Sequence, residues 1–327
     1  MDLAATQPRI ASYQAPGWLP GGHLQTIYAS LFAPRPPVAY RRERWETLDG
    51  DFIDLDWAGD TANAPLLVLF HGLEGCSDSH YARALMHHAT QLGWRGVVVH
   101  FRGCSGEPNR LPRAYHSGDS VEVDWILRRL RERLPTTPLF ATGVSLGGNV
   151  LLKWLGEQGA AACDIVAMAA AVSTPVDLAA AGNALDHGFN LIYTQHFLYT
   201  MRRKGLAKLA RFPGLYDGSR VRRSRTLRAF DDIVTAPLHG FRDADDYWTR
   251  ASSKPLLRGI RVPTLMVNAL NDPFLPASAL PRENEVAPCV VLDFPASGGH
   301  AGFVSGAFPG NLQWLPRRIA AFFTSLA

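Results

Sequence analysis

Pro138-Leu-Phe-Ala-Thr-Gly143-Val144-Ser145-Leu146-Gly147-Gly148-Asn149-Val-Leu-Leu-Lys-Trp-Leu-Gly-Glu157 decides how this chain is read. A short apolar run leads into Gly-x-Ser-x-Gly, and a helix-periodic stretch leads out of it. That order puts Ser145 on a sharp strand-to-helix turn, its hydroxyl standing alone at the top of a sheet. Glycines at 143 and 147 keep side chains out of a turn where backbone segments pass close together. The helix behind the turn aims the positive end of its dipole at the place where an oxyanion would develop. Ser145 is the candidate nucleophile, and the N–H of Leu146 is the first candidate oxyanion donor.

Outward from this turn, the same alternation repeats. Short unbroken apolar runs occur at Pro65–His71, Trp94–Phe101, Asp164–Ser173, Pro263–Leu270 and Cys289–Phe294. Helix-like stretches lie between them at Ser79–Leu92 and Ser120–Leu134, and a last one closes the chain at Trp314–Leu326. Apolar strands alternating with helices predict an α/β fold with a mostly parallel central sheet covered on both faces. Arg41–Trp57 alternates around Asp49-Gly50 and predicts a hairpin. Residues 16–37 are crowded with Pro and Gly and predict an extended arm. About 85 residues separate the fourth and fifth runs after the hairpin, rich in aromatics, Arg and helical periodicity. They predict a helical cap over the carboxyl edge of the sheet, where ligands bind in such folds. The expected division is an arm over 1–40, a core over 41–177 and 263–327, and a cap over 178–262.

A serine nucleophile needs a base and a group that orients it. His300, in Ser297-Gly-Gly-His-Ala-Gly-Phe303, lies on a Gly-rich loop after the last strand and before the closing helix. That is the place for the base in the order serine, acid, histidine. The acid should end a strand between them. Asp272, in Asn271-Asp-Pro-Phe274, does so beside the strand that feeds His300; Asp177, after the fourth strand, is the second candidate. The second oxyanion donor is expected in the first strand-to-helix loop, His71-Gly72-Leu73-Glu74-Gly75, at the N–H of Leu73. His71 precedes the nucleophile and reads as loop packing; Glu74 receives no role. Phe101-Arg-Gly-Cys-Ser-Gly-Glu-Pro-Asn109 reads as a rigid turn flanking the site, with nothing visible to activate Cys104.

Composition narrows the alternatives. With 327 residues, 47% hydrophobic and 19% charged, the chain is neither disordered nor fibrous. Four scattered cysteines form neither a disulfide framework nor a zinc signature. Residues 1–10 show no signal-peptide pattern and no apolar stretch reaches membrane-spanning length, so a cytoplasmic location is expected. The net charge of +4 is local in origin: residues 201–228 hold ten Lys/Arg and one Asp, leaving −5 for the rest. That segment predicts salt-sensitive peripheral contact with anionic membrane. It sits in the expected cap without a recognisable nucleic-acid module, so nucleic acid is not expected as a partner.

Further stretches carry a resemblance: LPGGHLQTIYASL, FHGLEGCSDSHYA, HFRGCSGEPNRLPRAYHSGD, GVSLGGN, FDDIVTAPLHGF, NDPF and GGHAGF. Together they resemble the α/β-hydrolase superfamily, and more closely the YheT-like hydrolases, which are similar to animal abhydrolase-domain lipases and yeast medium-chain alcohol acyltransferases. The resemblance implies Ser145 as nucleophile, Asp272 as acid and His300 as base, ester or acylglycerol substrates, and no cofactor. The expected activity is that of a serine carboxylesterase on short- to medium-chain acyl esters. Phe189, Tyr193, Phe197 and Tyr199 are expected to line its acyl pocket. The same triad would serve an alcohol acyltransferase, and the fold alone would serve a silent binding protein. Oligomeric state is not legible.

Overall fold

The computed structural model describes residues 11–325. Residues 1–10, where no signal peptide was expected, and Leu326, the expected end of the last helix, lie outside them.

Eight strands form one sheet: β1 (Arg41–Glu46), β2 (Phe52–Ala58), β3 (Leu66–Phe70), β4 (Arg95–His100), β5 (Leu139–Val144), β6 (Met168–Val172), β7 (Thr264–Val267) and β8 (Val290–Asp293). Their order is β1-β2-β4-β3-β5-β6-β7-β8. The hairpin β1–β2 and the β2–β4 pair are antiparallel, and every later pair is parallel. Strands β3, β5 and β6 are buried along their whole length. That is why they read as continuous apolar runs instead of alternating ones.

Successive side chains still point to opposite faces. Leu66, Val68 and Phe70 of β3 pack with α3 (Ser120–Arg133) and α4 (Leu146–Gln158), while Leu67 and Leu69 pack with α2 (His80–Gln91) and α11 (Trp314–Thr324). Each helix supplies an apolar stripe, such as Val123, Ile126, Leu127 and Leu130 of α3.

Between β6 and β7 the chain leaves the sheet for a helical insertion with its own core: α5 (Leu178–Leu185), α6 (Leu191–Arg211), α7 (Gly218–Arg223), α8 (Leu227–Phe230), α9 (Ala236–His239) and α10 (Ala244–Ala251). Leu198, Val221, Phe230 and Trp248 are buried within it.

Two expectations change. The Pro- and Gly-rich arm contains a helix, α1 (Gly22–Leu31). Its prolines and Gly21 flank the helix, and the ten residues between them bury Gln25, Thr26 and Ala29 on one face. The fourth run becomes a strand only from Met168, because 159–164 coils into a 3₁₀ turn first.

Candidate active site

Ser145 occupies the strand-to-helix turn between β5 and α4 with φ +55°, a conformation that strains any side-chain-bearing residue. A Cβ on Gly147 would lie 2.2 Å from the carbonyl oxygen of Phe70, so only glycine admits this packing of turn against β3. The strain therefore persists because the surrounding backbone leaves no other path.

The loop after β8 brings His300 to the serine. The Ser145 hydroxyl lies 2.9 Å from His300 Nε2. On the other side of the ring, His300 Nδ1 lies 2.9 Å from Asp272 Oδ2. With Nδ1–H donating to the carboxylate, Nε2 holds the lone pair that accepts the serine proton. The second carboxylate oxygen, Oδ1, accepts the N–H of Phe274 at 2.8 Å. The Asp272 side chain is almost fully buried, and the Phe274 ring stacks on the imidazole with centroids 4.0 Å apart. Asp177, the second candidate acid, instead caps α5 by accepting the N–H of Ala180.

Leu73 and Leu146 line the same cavity as Ser145 and His300. Gly72 presses the first loop against the elbow: a Cβ there would meet Ser145 Cβ at 3.1 Å. The N–H of Gly72 donates to Tyr81, and that of Glu74 to Tyr115. Glu74, left without a role by the sequence, sits at φ +55° and binds the Tyr115 hydroxyl and Lys204 of α6. It thus ties the loop carrying Leu73 to the insertion. His71 is packing, as expected. It is fully buried, accepts the N–H of Phe101 at Nε2 and donates from Nδ1 to Gly72. Burial pushes its pKa down to about 3, so it stays neutral.

The turn after β4 is held rigidly. Arg102 is buried against Glu122, Asp49 and Asp51, and Asn109 donates to Asp51. Burial pushes the Cys104 thiol up to about 12, so it is no thiolate. Lys208 donates to Asn109, Leu111 and Arg113, and Arg211 to Asn109 and Arg110. Three members of the basic segment, Lys204, Lys208 and Arg211, therefore face the sheet domain's loops from one side of α6. Arg220, Arg222, Arg223 and Arg225 are exposed.

A cavity of about 700 Å³ opens from Ser145 beneath the insertion. That is ample for an organic substrate. Leu178, Leu185, Met201, Phe230, Leu238 and Trp248 give it apolar walls. Of the four aromatics expected there, only Phe197 lines it. Tyr193 is buried against Phe274, while Phe189 and Tyr199 are exposed. Tyr193, Phe197 and Tyr199 sit on α6, which presents different faces to core and solvent, and Phe189 lies in the short turn before it; aromatic content alone reveals neither. Among the described residues, no group of His, Cys, Asp and Glu could hold a metal ion, and no helix is long and apolar enough to cross a membrane.

Comparison with known proteins agrees with this architecture. The chain is 40% identical to the YheT protein of Escherichia coli (strain K12), whose name describes an esterase, over 93% of this chain and 90% of that one. It is 30% identical to the human phospholipase ABHD3 over 96% of this chain and 79% of that one. The solved esterase Pf2001 of Pyrococcus furiosus superimposes with a TM-score of 0.58 over 97% of this chain and 96% of that one; at 16% identity this is a likeness of fold. The model for the alpha/beta hydrolase fold matches residues 65–307, and with these relatives it shows that the chain belongs to that family.

Proposed function

We propose that the protein is a serine carboxylesterase acting on short- to medium-chain acyl esters or acylglycerols. The observation that carries this reading is the Ser145–His300–Asp272 hydrogen-bond chain opening into an apolar cavity. His300 Nε2 takes the Ser145 proton as Oγ attacks the ester carbonyl. The carbonyl oxygen becomes an oxyanion held by the N–H groups of Leu146 and Leu73. Collapse expels the alcohol, which takes the proton from His300, and leaves an acyl-enzyme. Water, deprotonated by the same imidazole, attacks that ester, and the acid departs as Ser145 regains its proton. Asp272 stabilises the imidazolium throughout.

In this reading residues 178–262 act as a cap over the core formed by 41–177 and 263–327, with 1–40 as an arm. The exposed arginines of 220–225 give the cap salt-sensitive affinity for anionic vesicles. The esterase name of the Escherichia coli relative supports the ester assignment. The test is hydrolysis of p-nitrophenyl esters from acetate to palmitate by wild type and Ser145→Ala. Activity that peaks at one chain length and collapses in the variant is expected. Equal activity of the two proteins would remove Ser145 from the chemistry.

A further inference from the structure

Four consecutive backbone N–H groups run through the loop that carries His300, and a side-chain oxygen accepts each one. Gly298 donates to Gln25 Oε1 at 2.8 Å, Gly299 to Asn271 Oδ1 at 3.0 Å, His300 to Thr26 Oγ1 at 2.8 Å and Ala301 to Ser173 Oγ at 2.8 Å. Gln25 Oε1 also accepts from Asn271 Nδ2 at 3.0 Å. One side chain of α1 therefore holds both the loop of the base and the residue next to Asp272. Gln25 is itself anchored, since its amide donates to the carbonyl of Leu19. Both Gln25 and Thr26 are buried.

The packing behind these bonds is backbone against backbone. A Cβ on Gly22 would lie 2.0 Å from the carbonyl oxygen of Asn271. The helix cannot shift away from the site without taking the acceptors from Gly298 N–H, His300 N–H and Asn271 Nδ2, and it cannot move closer. The match to the fold-family model starts at residue 65, so α1 lies outside it. The backbone at 298–301 is a turn with Gly298, Gly299 and Ala301 at positive φ and has no ladder of its own, and unmet N–H groups there would each be costly.

We propose that Gln25 and Thr26 are positioning residues for the reaction: through the backbone of Gly298 and His300 they set where Nε2 meets Ser145 Oγ. This inference rests on the triad reading above. A displacement of about 1 Å at a reacting group costs up to roughly a hundredfold in rate. The substitution Thr26→Val keeps shape and removes the acceptor; Gln25→Leu does the same at its position. Thr26→Ser restores an acceptor oxygen; at position 25 no other side chain supplies both the acceptor and the amide that donates to Leu19.

The experiment measures kcat, KM and melting temperature for all three on the best p-nitrophenyl ester, with Ser145→Ala alongside. The rate of inactivation by a fluorophosphonate serves as a second readout of nucleophile activation. Thr26→Val and Gln25→Leu are expected to lose about tenfold or more in kcat with KM within about twofold, and to label correspondingly slowly. Thr26→Ser should recover most of that loss. If one apolar variant fails to fold, the other carries the test. The proposal is overturned if both keep kcat within about twofold, if KM alone rises, or if Thr26→Ser is as slow as Thr26→Val. Activity in Ser145→Ala would instead sink the triad reading itself, a result distinct from an inert Ser145→Ala beside a fully active Thr26→Val.

Discussion

Replacing Asp272 with Asn tests the electrostatic half of the site while leaving its shape intact. In the native arrangement Oδ1 accepts from Phe274 N–H and Oδ2 accepts from His300 Nδ1–H. Phe274 N–H is a backbone donor and cannot reverse, so the Asn carbonyl must face it. The Asn amide then points its own N–H groups at Nδ1. The imidazole relieves that conflict by carrying its proton on Nε2, where it no longer accepts from Ser145. Both base strength and tautomer are lost, and the negative charge that would stabilise the imidazolium is gone. The same substitution in a trypsin-like triad costs about 10⁴ in kcat. A loss on the order of 10⁴-fold, about 5 kcal/mol, is therefore expected here. The carboxylate is almost fully buried, so solvent will not replace it. The assay is kcat/KM on a p-nitrophenyl ester, with melting temperature as a control. Asp177→Asn should keep full activity, because an Asn still accepts the N–H of Ala180 at the start of α5. An Asp272→Asn enzyme within about tenfold of wild type would refute the reasoning.

Other consequences can be checked separately. Met201→Trp adds bulk to a residue lining the cavity and should shift the preferred p-nitrophenyl ester to shorter chains, with acetate turnover little changed. Burial depresses the pKa of His80 to about 4, while its ring donates to the carbonyl of Ala301. The unfolded chain therefore binds more protons between pH 6.5 and 4. The stability contributed by keeping this ring neutral is full above the ordinary value and lost as pH falls through that window, by about 3 kcal/mol. His80→Gln keeps a donor, so urea titrations from pH 7 to 4 should show a shallower loss than wild type; parallel curves would contradict this. Changing Arg220, Arg222, Arg223 and Arg225 together to Gln should abolish cosedimentation with anionic vesicles, which in wild type should weaken from about 50 to 500 mM salt. Equal binding at both salt levels would count against the electrostatic reading.

The strand-to-helix turn, the parallel sheet and the placement of His300 and Asp272 were legible because each depends on local pattern. Apolar run, Gly-x-Ser-x-Gly and helix stand side by side in sequence, and the mostly parallel pairing follows from the alternation, whereas the strand order, with β4 between β2 and β3, does not. What was not legible depends on contacts distant in the chain. Helix α1 hides between prolines that look like an extended arm, and Gln25 and Thr26 are ordinary residues until the loop at 298–301 folds onto them. Glu74 finds its partners only in Tyr115 and in Lys204, 130 residues later. The exposed placement of Tyr199 shows the same limit: helical spacing tells which residues share a face, and the partner element decides which face is buried.

The most direct test of the account is the site of covalent capture. After reaction with a fluorophosphonate, peptide mass mapping should place one adduct on Ser145, and Ser145→Ala should take up none under the same conditions. An adduct on another residue, or continued ester turnover in a protein whose Ser145 is fully blocked, would contradict the claim that this serine is the nucleophile.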